Sequence, residues 1–490
     1  MRYWRALPAL LAFATGCAGP LEEEPTADEQ LSSLESAVTW EPCTATAHLL
    51  EDIHPGAPGS EPANLVRGAD GLFFTADDGV RGRELGVSSG TGGAGTFLVK
   101  DIRPGLDSAE PNELTVVGGK VFFTAEDGVH GRELWVSDGT TAGTFLVKDI
   151  HPSELDLGPS GLVEFNGRVY FAANDGVNGR ELWVSDGTAA GTFMLEDLYP
   201  GADEWDPESP GSSSPRRMVR TPNAFYFVAN VGSDVRLWRS VGVPGARPVF
   251  EAPEDNVVFS MTPVGGELLF FLVDNDEGEA SLWVTRGTMA STRELRFFPG
   301  AYPHDLTALN GKLYFSAGRA RSGLEGDPAG EELWVSDGTE RGTRLLKDIH
   351  RGPGDSRPGS LKVLGRRLYF AADDGVRGRE LWVSDGTTGG TRLFKDLEPG
   401  AAGSSPTDLA PIHDTLFFSA ETAGRGREPW VSNGTPGGTR PLTEVAPGPT
   451  GSGPRGFIRS GWDVFFTADD GTHGRELWAL PFRPEDRCGR

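Results

Sequence analysis

Three features of this 490-residue sequence predict an all-β fold: a single closed β-propeller of four-stranded antiparallel blades, about nine in number. A phrase returns along the chain, as "RELWVSDGT" from Arg132 and Arg180 and "RELWVSDGTTGGT" from Arg379. Its spacing is regular. The two ends of the chain also complement each other. Glycine and proline contribute 68 and 36 residues, so turns are dense and there is little room for long helices.

The phrase centres on Trp135, Trp183, Trp238, Trp283, Trp334, Trp382, Trp430 and Trp478, and an earlier copy, "RELGVSSGT", has Gly86 in that place. Successive differences are 49, 48, 55, 45, 51, 48, 48 and 48, the mark of a repeated structural unit. In the unit from Pro159 to Leu198, "GLVEF" is a short apolar strand and Asn166-Gly167 a two-residue hairpin turn. "RVYFAA" is a second strand, rich in aromatic and β-branched residues. After the polar turn "NDGVNG" come "RELWVS", the turn "DGTAAG" and a fourth strand, "TFMLEDL". Such a sheet has two apolar faces, and stacking the sheets side by side covers both.

The ninth unit, "GFIRSGWDVFFTADDGTHGRELWALPF", supplies three strands and lacks the fourth. "TATAHLLEDIHPG", from Thr44 to Gly56, matches the fourth-strand phrase "GTFLVKDIRPG". The N-terminal strand is therefore predicted to complete the last blade and close the ring. Cys43 and Cys488 flank this junction, and in an exported protein they are expected to pair as a disulfide. Units four and five are degenerate ("VRLWRSVGVPG" and "ASLWVTRGTMAS"), which leaves an eight-blade ring with one irregular unit as the alternative.

Residues 1–16 read as a signal peptide, with Arg2 and Arg5 ahead of the apolar run "ALPALLAFAT". "ATGCA" resembles a bacterial lipobox, with Gly16 before Cys17 and Ala14 where leucine is usual. That resemblance implies lipidation of Cys17. An ordinary secretory signal would instead leave Cys17 in the discarded peptide. Residues 17–43 read as the lipidated cysteine and a flexible acidic tether, and 44–490 as the propeller. The net charge of -26 excludes nucleic acid as a partner, because phosphate binding needs a basic surface.

The repeat resembles the ELWxxDGT repeat family, named for its motif. The resemblance implies an exported bacterial repeat protein and no particular reaction. Unit one departs from the pattern at Gly86 and Ser89, unit eight at Pro429 and Asn433, and units four and five depart most.

Asp138, Asp186, Asp337 and Asp385 open "DGT" turns, where an aspartate bonds the backbone two residues on. The glutamate of "RELW" recurs as Glu84, Glu133, Glu181, Glu332, Glu380, Glu428 and Glu476. Seven like copies point to scaffolding rather than catalysis, and the tryptophans to blade packing. Acidic turns at Asp77-Asp78, Glu126-Asp127, Asp373-Asp374 and Asp469-Asp470 leave calcium open, without the EF-hand spacing. No other cofactor, metal site or catalytic set stands out.

Function is expected where copies differ. The stretch Gly201 to Arg220, with Trp205, Arg216, Arg217 and Arg220, reads as a long insertion and a candidate binding patch. Gly318 to Glu331 reads as a second. The expectation is a non-enzymatic, lipid-anchored propeller of the bacterial envelope, on the outer membrane or cell surface, offering a binding scaffold to an unknown protein or glycan. A glycan-directed lectin or glycoside hydrolase is the alternative.

Overall fold

The computed structural model describes residues 40–42, 46–69, 71–151, 157–204, 206–275, 279–318 and 330–484. Among them are nine antiparallel sheets, each a meander of four consecutive strands except the last. The only helical segments among the described residues are the single turns Gly93–Gly95 and Met289–Ser291. The fold is the predicted nine-bladed propeller.

The innermost strands of blades 1 to 9 are Ala63–Arg67, Asn112–Val117, Ser160–Phe165, Arg216–Thr221, Val257–Val264, His304–Leu309, Gly359–Leu364, Thr407–Ile412 and Arg455–Ser460. Each touches the innermost strand of the next blade, and that of blade 9 touches that of blade 1. The ring is therefore closed. In blade 9 the fourth position is filled from the N-terminus, where His48 and Leu49 pair with Ala479 and Trp478. A further strand, Trp40–Pro42, pairs with Phe482 to Pro484, so the sheet begins ahead of the boundary expected at residue 44. Proline there suits an outermost strand, whose free edge has no ladder bond to lose.

Nine apolar clusters hold the ring together, one between each pair of neighbouring blades. Trp135 of blade 2, for example, packs with Phe73, Leu85 and Ile102 of blade 1. Between blades 9 and 1, Phe74 occupies the space over Gly86, where a Cβ would lie 2.6 Å from its ring. Glycine at this position accommodates a locally different packing.

Candidate functional site

Every letter of the repeated phrase has a structural task. All seven "RELW" glutamates are buried. Each grips the connection that leads to the next blade. Glu380 accepts from the backbone of Leu397 at 3.0 Å, Glu398 at 3.1 Å and Ser404 at 2.9 Å, and from Ser404 Oγ at 2.7 Å. Ser60, Ser213, Ser356 and Ser452 serve Glu476, Glu181, Glu332 and Glu428 in the same way. Each serine is followed two residues later by proline. This Ser-x-Pro signal recurs in the sequence, and the sequence reading missed it.

In the link from blade 1 to blade 2, Ala109 stands in the serine's place. Glu84 then accepts from Arg103 N at 3.2 Å without a serine hydroxyl, and its buried Oε2 has no hydrogen-bond partner among the described residues. Burial pushes the carboxyls of Glu84 and Glu181 from 4.5 to about 7, against the pull of the backbone donors. The folded ring thus holds these protons more tightly than the unfolded chain. Their contribution to stability is complete below pH 4.5 and is lost as pH rises to about 7. Ala109→Ser supplies the missing hydroxyl. It is expected to stabilise the fold by about 1 kcal/mol at pH 8 and by less at pH 4.5. Urea unfolding at the two pH values checks this; no gain at pH 8 would contradict it.

The "DGT" aspartates close their own turns, as expected. Asp138 Oδ1 accepts from Thr140 N at 2.9 Å and Thr140 Oγ1 at 2.7 Å. Asp186, Asp337 and Asp385 repeat the arrangement. The second glycine of each turn, Gly143 in blade 2, is obligatory because a Cβ would lie 2.0 Å from the Asp138 carboxylate. The tryptophans of the repeated phrase are buried, apart from half-buried Trp283. Lys100 of blade 1 lies over Trp135 of blade 2, 5.9 Å from its ring centre, and donates to Thr144 O at 2.8 Å. Lys148 repeats this latch one blade later.

The acidic turns spend their carboxylates locally. Asp374 Oδ1 accepts from the backbone of Val376 and Arg377, and its other oxygen pairs with the Arg377 guanidinium at 2.6 Å. Among the described residues no group of three or more His, Cys, Asp or Glu is placed to hold a metal ion.

What differs between blades lies on the channel wall. Each innermost strand breaks register at a bulge, and the bulge residue has positive φ: Asn64, Glu113, Gly161, Arg217, Ser260, Asp305, Ser360, Asp408 and Gly456. The residue after it is apolar in every blade, as with Leu65, Leu114, Leu162 and Met218 in blades 1 to 4. Those four floor a groove of about 480 Å³, flanked by Asn64, Glu113, Thr115 and Arg217. Gly161 has no side chain and opens the groove at blade 3.

Residues 216–221, read from sequence as the end of an insertion, are the innermost strand of blade 4. This strand faces channel water, so its sequence is polar and basic. The strand separates the predicted patch. Arg216 is tied to Asn230 Oδ1 at 3.0 and 3.1 Å, Arg217 lines the groove, and Arg220 pairs with Glu164 of blade 3. Trp205, Cys17, Cys43 and Cys488 lie outside the described residues, as do residues 319–329 of the second insertion.

At blade 6 the repeat arginine is replaced by Glu331. His304 bridges Asp305 at 3.1 Å and Glu331 at 2.8 Å, and Ser316 Oγ donates to Glu331 at 2.9 Å. The Asp305 and Glu331 carboxylates raise the imidazole to about 9. A charged imidazolium held this way serves neither as a general base nor as a metal ligand at neutral pH.

No family model matches the chain, and no curated protein matches it. Solved structures share the fold at low identity. One, from work on two prolyl endopeptidases, is 14% identical at a TM-score of 0.39 and covers 73% of this chain and 54% of its own. A puromycin hydrolase is 15% identical at 0.39, covering 74% and 59%. A puromycin-hydrolyzing peptidase of Mycobacterium tuberculosis is 12% identical at 0.38, covering 74% and 58%. The matched region thus spans a little over half the length of these enzymes. These likenesses bear on the fold alone. The expectation of a non-enzymatic binding scaffold, with its glycan-directed alternative, is corrected on this finding. These structures are of peptidases and a puromycin hydrolase, and an oligogalacturonate lyase matches as well, at 12% identity and a TM-score of 0.38; neither reading is kept.

Proposed function

We propose that this propeller admits an extended peptide segment along its channel wall, selected by the innermost strands of blades 1 to 4. The observation that carries the reading is the groove floored by Leu65, Leu114, Leu162 and Met218. An extended peptide needs apolar seats for its side chains and polar partners for its backbone. The floor offers the first. Asn64, Asn112 and Thr115 offer the second.

Gly161→Asn tests the reading with little strain, since Asn64 occupies the equivalent place at φ +53°. Unstructured peptides of about ten residues are titrated against both proteins by fluorescence anisotropy, and the variant is expected to lose about tenfold or more in affinity, roughly 1.4 kcal/mol. Peptides that bind both proteins equally, or no binding at all, would overturn the reading. Mass spectrometry of the recovered peptides shows whether they are also cut.

Export with a lipid on Cys17, and a Cys43–Cys488 disulfide at the ring junction, belong to the same proposal. The pairing of Pro42 with Phe482 supports the second, because it joins the segments that lead to the two cysteines. Intact-mass measurement of the membrane fraction checks the lipid. Non-reducing peptide mapping checks the disulfide.

A further inference from the structure

A second channel cavity, of about 610 Å³, lies between blades 9 and 1 and adjoins the groove at Asn64 and Leu65. Its lining carries Arg83, Arg455 and Arg475 with the carboxylate of Glu61, and Asp408 and Asp469 stand near enough to act on Arg475. In a chain of net charge -26 this is a local concentration of guanidinium groups.

Two of the arginines are positioned by the fold. Arg83 donates through Nη1 to Glu61 O at 2.9 Å, and Arg475 through Nη1 to Thr467 O at 3.3 Å. Nη2 of each has no hydrogen-bond partner among the described residues. The Glu61 carboxylate stands 3.8 Å from Arg475 Nε and is itself largely exposed. Burial, and then the neighbouring charge of Arg455, lower the pKa of Arg475.

Arg455 is what sets this cavity apart. It is the last residue paired before the bulge, a place held elsewhere by Ala63, Asn112, Ser160, Arg216, Phe259, His304, Gly359 and Thr407. The other two cationic residues in this ring of positions are engaged: Arg216 by Asn230, and His304 by Asp305 and Glu331. The Arg455 guanidinium has no side-chain partner among the described residues. Planar guanidinium forks match the two oxygens of a carboxylate. The apolar walls of Leu65, Phe457 and Ile458 suit the organic part of an acid better than a bare inorganic anion.

We propose that Arg83, Arg455 and Arg475 form a receptor for a carboxylate group, carried either by a small free acid or by the C-terminus of a peptide. The site stands on its own geometry, whatever occupies the neighbouring groove.

Calorimetry on the full chain at pH 7 and low salt tests this with succinate, an N-acetylated tripeptide acid, the same tripeptide as its amide, and inorganic phosphate. At least one carboxylate is expected to bind, and to weaken at least about tenfold in Arg455→Gln, with Arg455→Lys in between. Succinate alone binding identifies a free acid as the source. The tripeptide acid binding at least about tenfold more tightly than its amide identifies a chain terminus. Thermal midpoints equal to wild type show that the variants fold. The proposal is overturned if neither carboxylate binds below about 10 mM, which corresponds to less than roughly 3 kcal/mol. It is also overturned if Arg455→Gln binds as wild type does, or if phosphate binds as tightly as either acid.

Discussion

Glu380→Ala destabilises the ring by about 5 kcal/mol, because it leaves two buried backbone N–H groups, one half-buried N–H and one buried hydroxyl without an acceptor. Each orphaned donor costs about 1–3 kcal/mol, and the methyl group of alanine returns little. Glu380→Gln keeps the acceptor oxygen and costs about 1–2 kcal/mol, since its amide nitrogen replaces one acceptor with a donor. Urea unfolding measures both. A loss below about 1 kcal/mol for the alanine variant would show that the glutamate does not clamp the connection. A catalytic role predicts a different pattern, with activity lost and stability kept.

Deleting the N-terminal residues through Leu50 is the second large effect. Leu50 is 4% exposed and donates its N–H to Leu477 O at 3.1 Å. Ala47 packs with Trp478 and Phe466 of blade 9. Losing this apolar burial and the strand's backbone pairing costs about 5 kcal/mol. For a cooperative unit of this size that is a fall of about 5 °C in Tm. The deletion also bares the outer edge of the last blade, a template for pairing with other chains. Calorimetry together with light scattering follows both consequences. An unchanged Tm would mean that the terminal strand is an ornament of blade 9 rather than its fourth strand.

The blades were legible in the sequence because their signals are local. The aromatic second strand, the Asn-Gly hairpin and the Asp-Gly-Thr turn are each set by residues near one another, and the repeat makes them redundant. Closure was legible because "RELWALPF" lacked a partner that "AHLLEDI" could supply. The channel wall was not. Its bulge residues share a backbone conformation and no side-chain type, running from Asn64 and Glu113 through Gly161 and Arg217 to Asp408. The innermost strand faces water, so its pattern is mixed, and that of blade 4 passed for a loop. The Arg455 cavity needs residues from blades 9 and 1, which are neighbours only because the ring closes.

The repeated phrase builds the ring, and the channel wall of blades 1 to 4 is the selective surface we propose. Hydrogen–deuterium exchange with and without a saturating bound peptide tests this most directly. New protection is predicted in the innermost strands at residues 63–67, 112–117, 160–165 and 216–221. Protection confined to the "DGT" turns and outer strands, with those four segments unchanged, would contradict it.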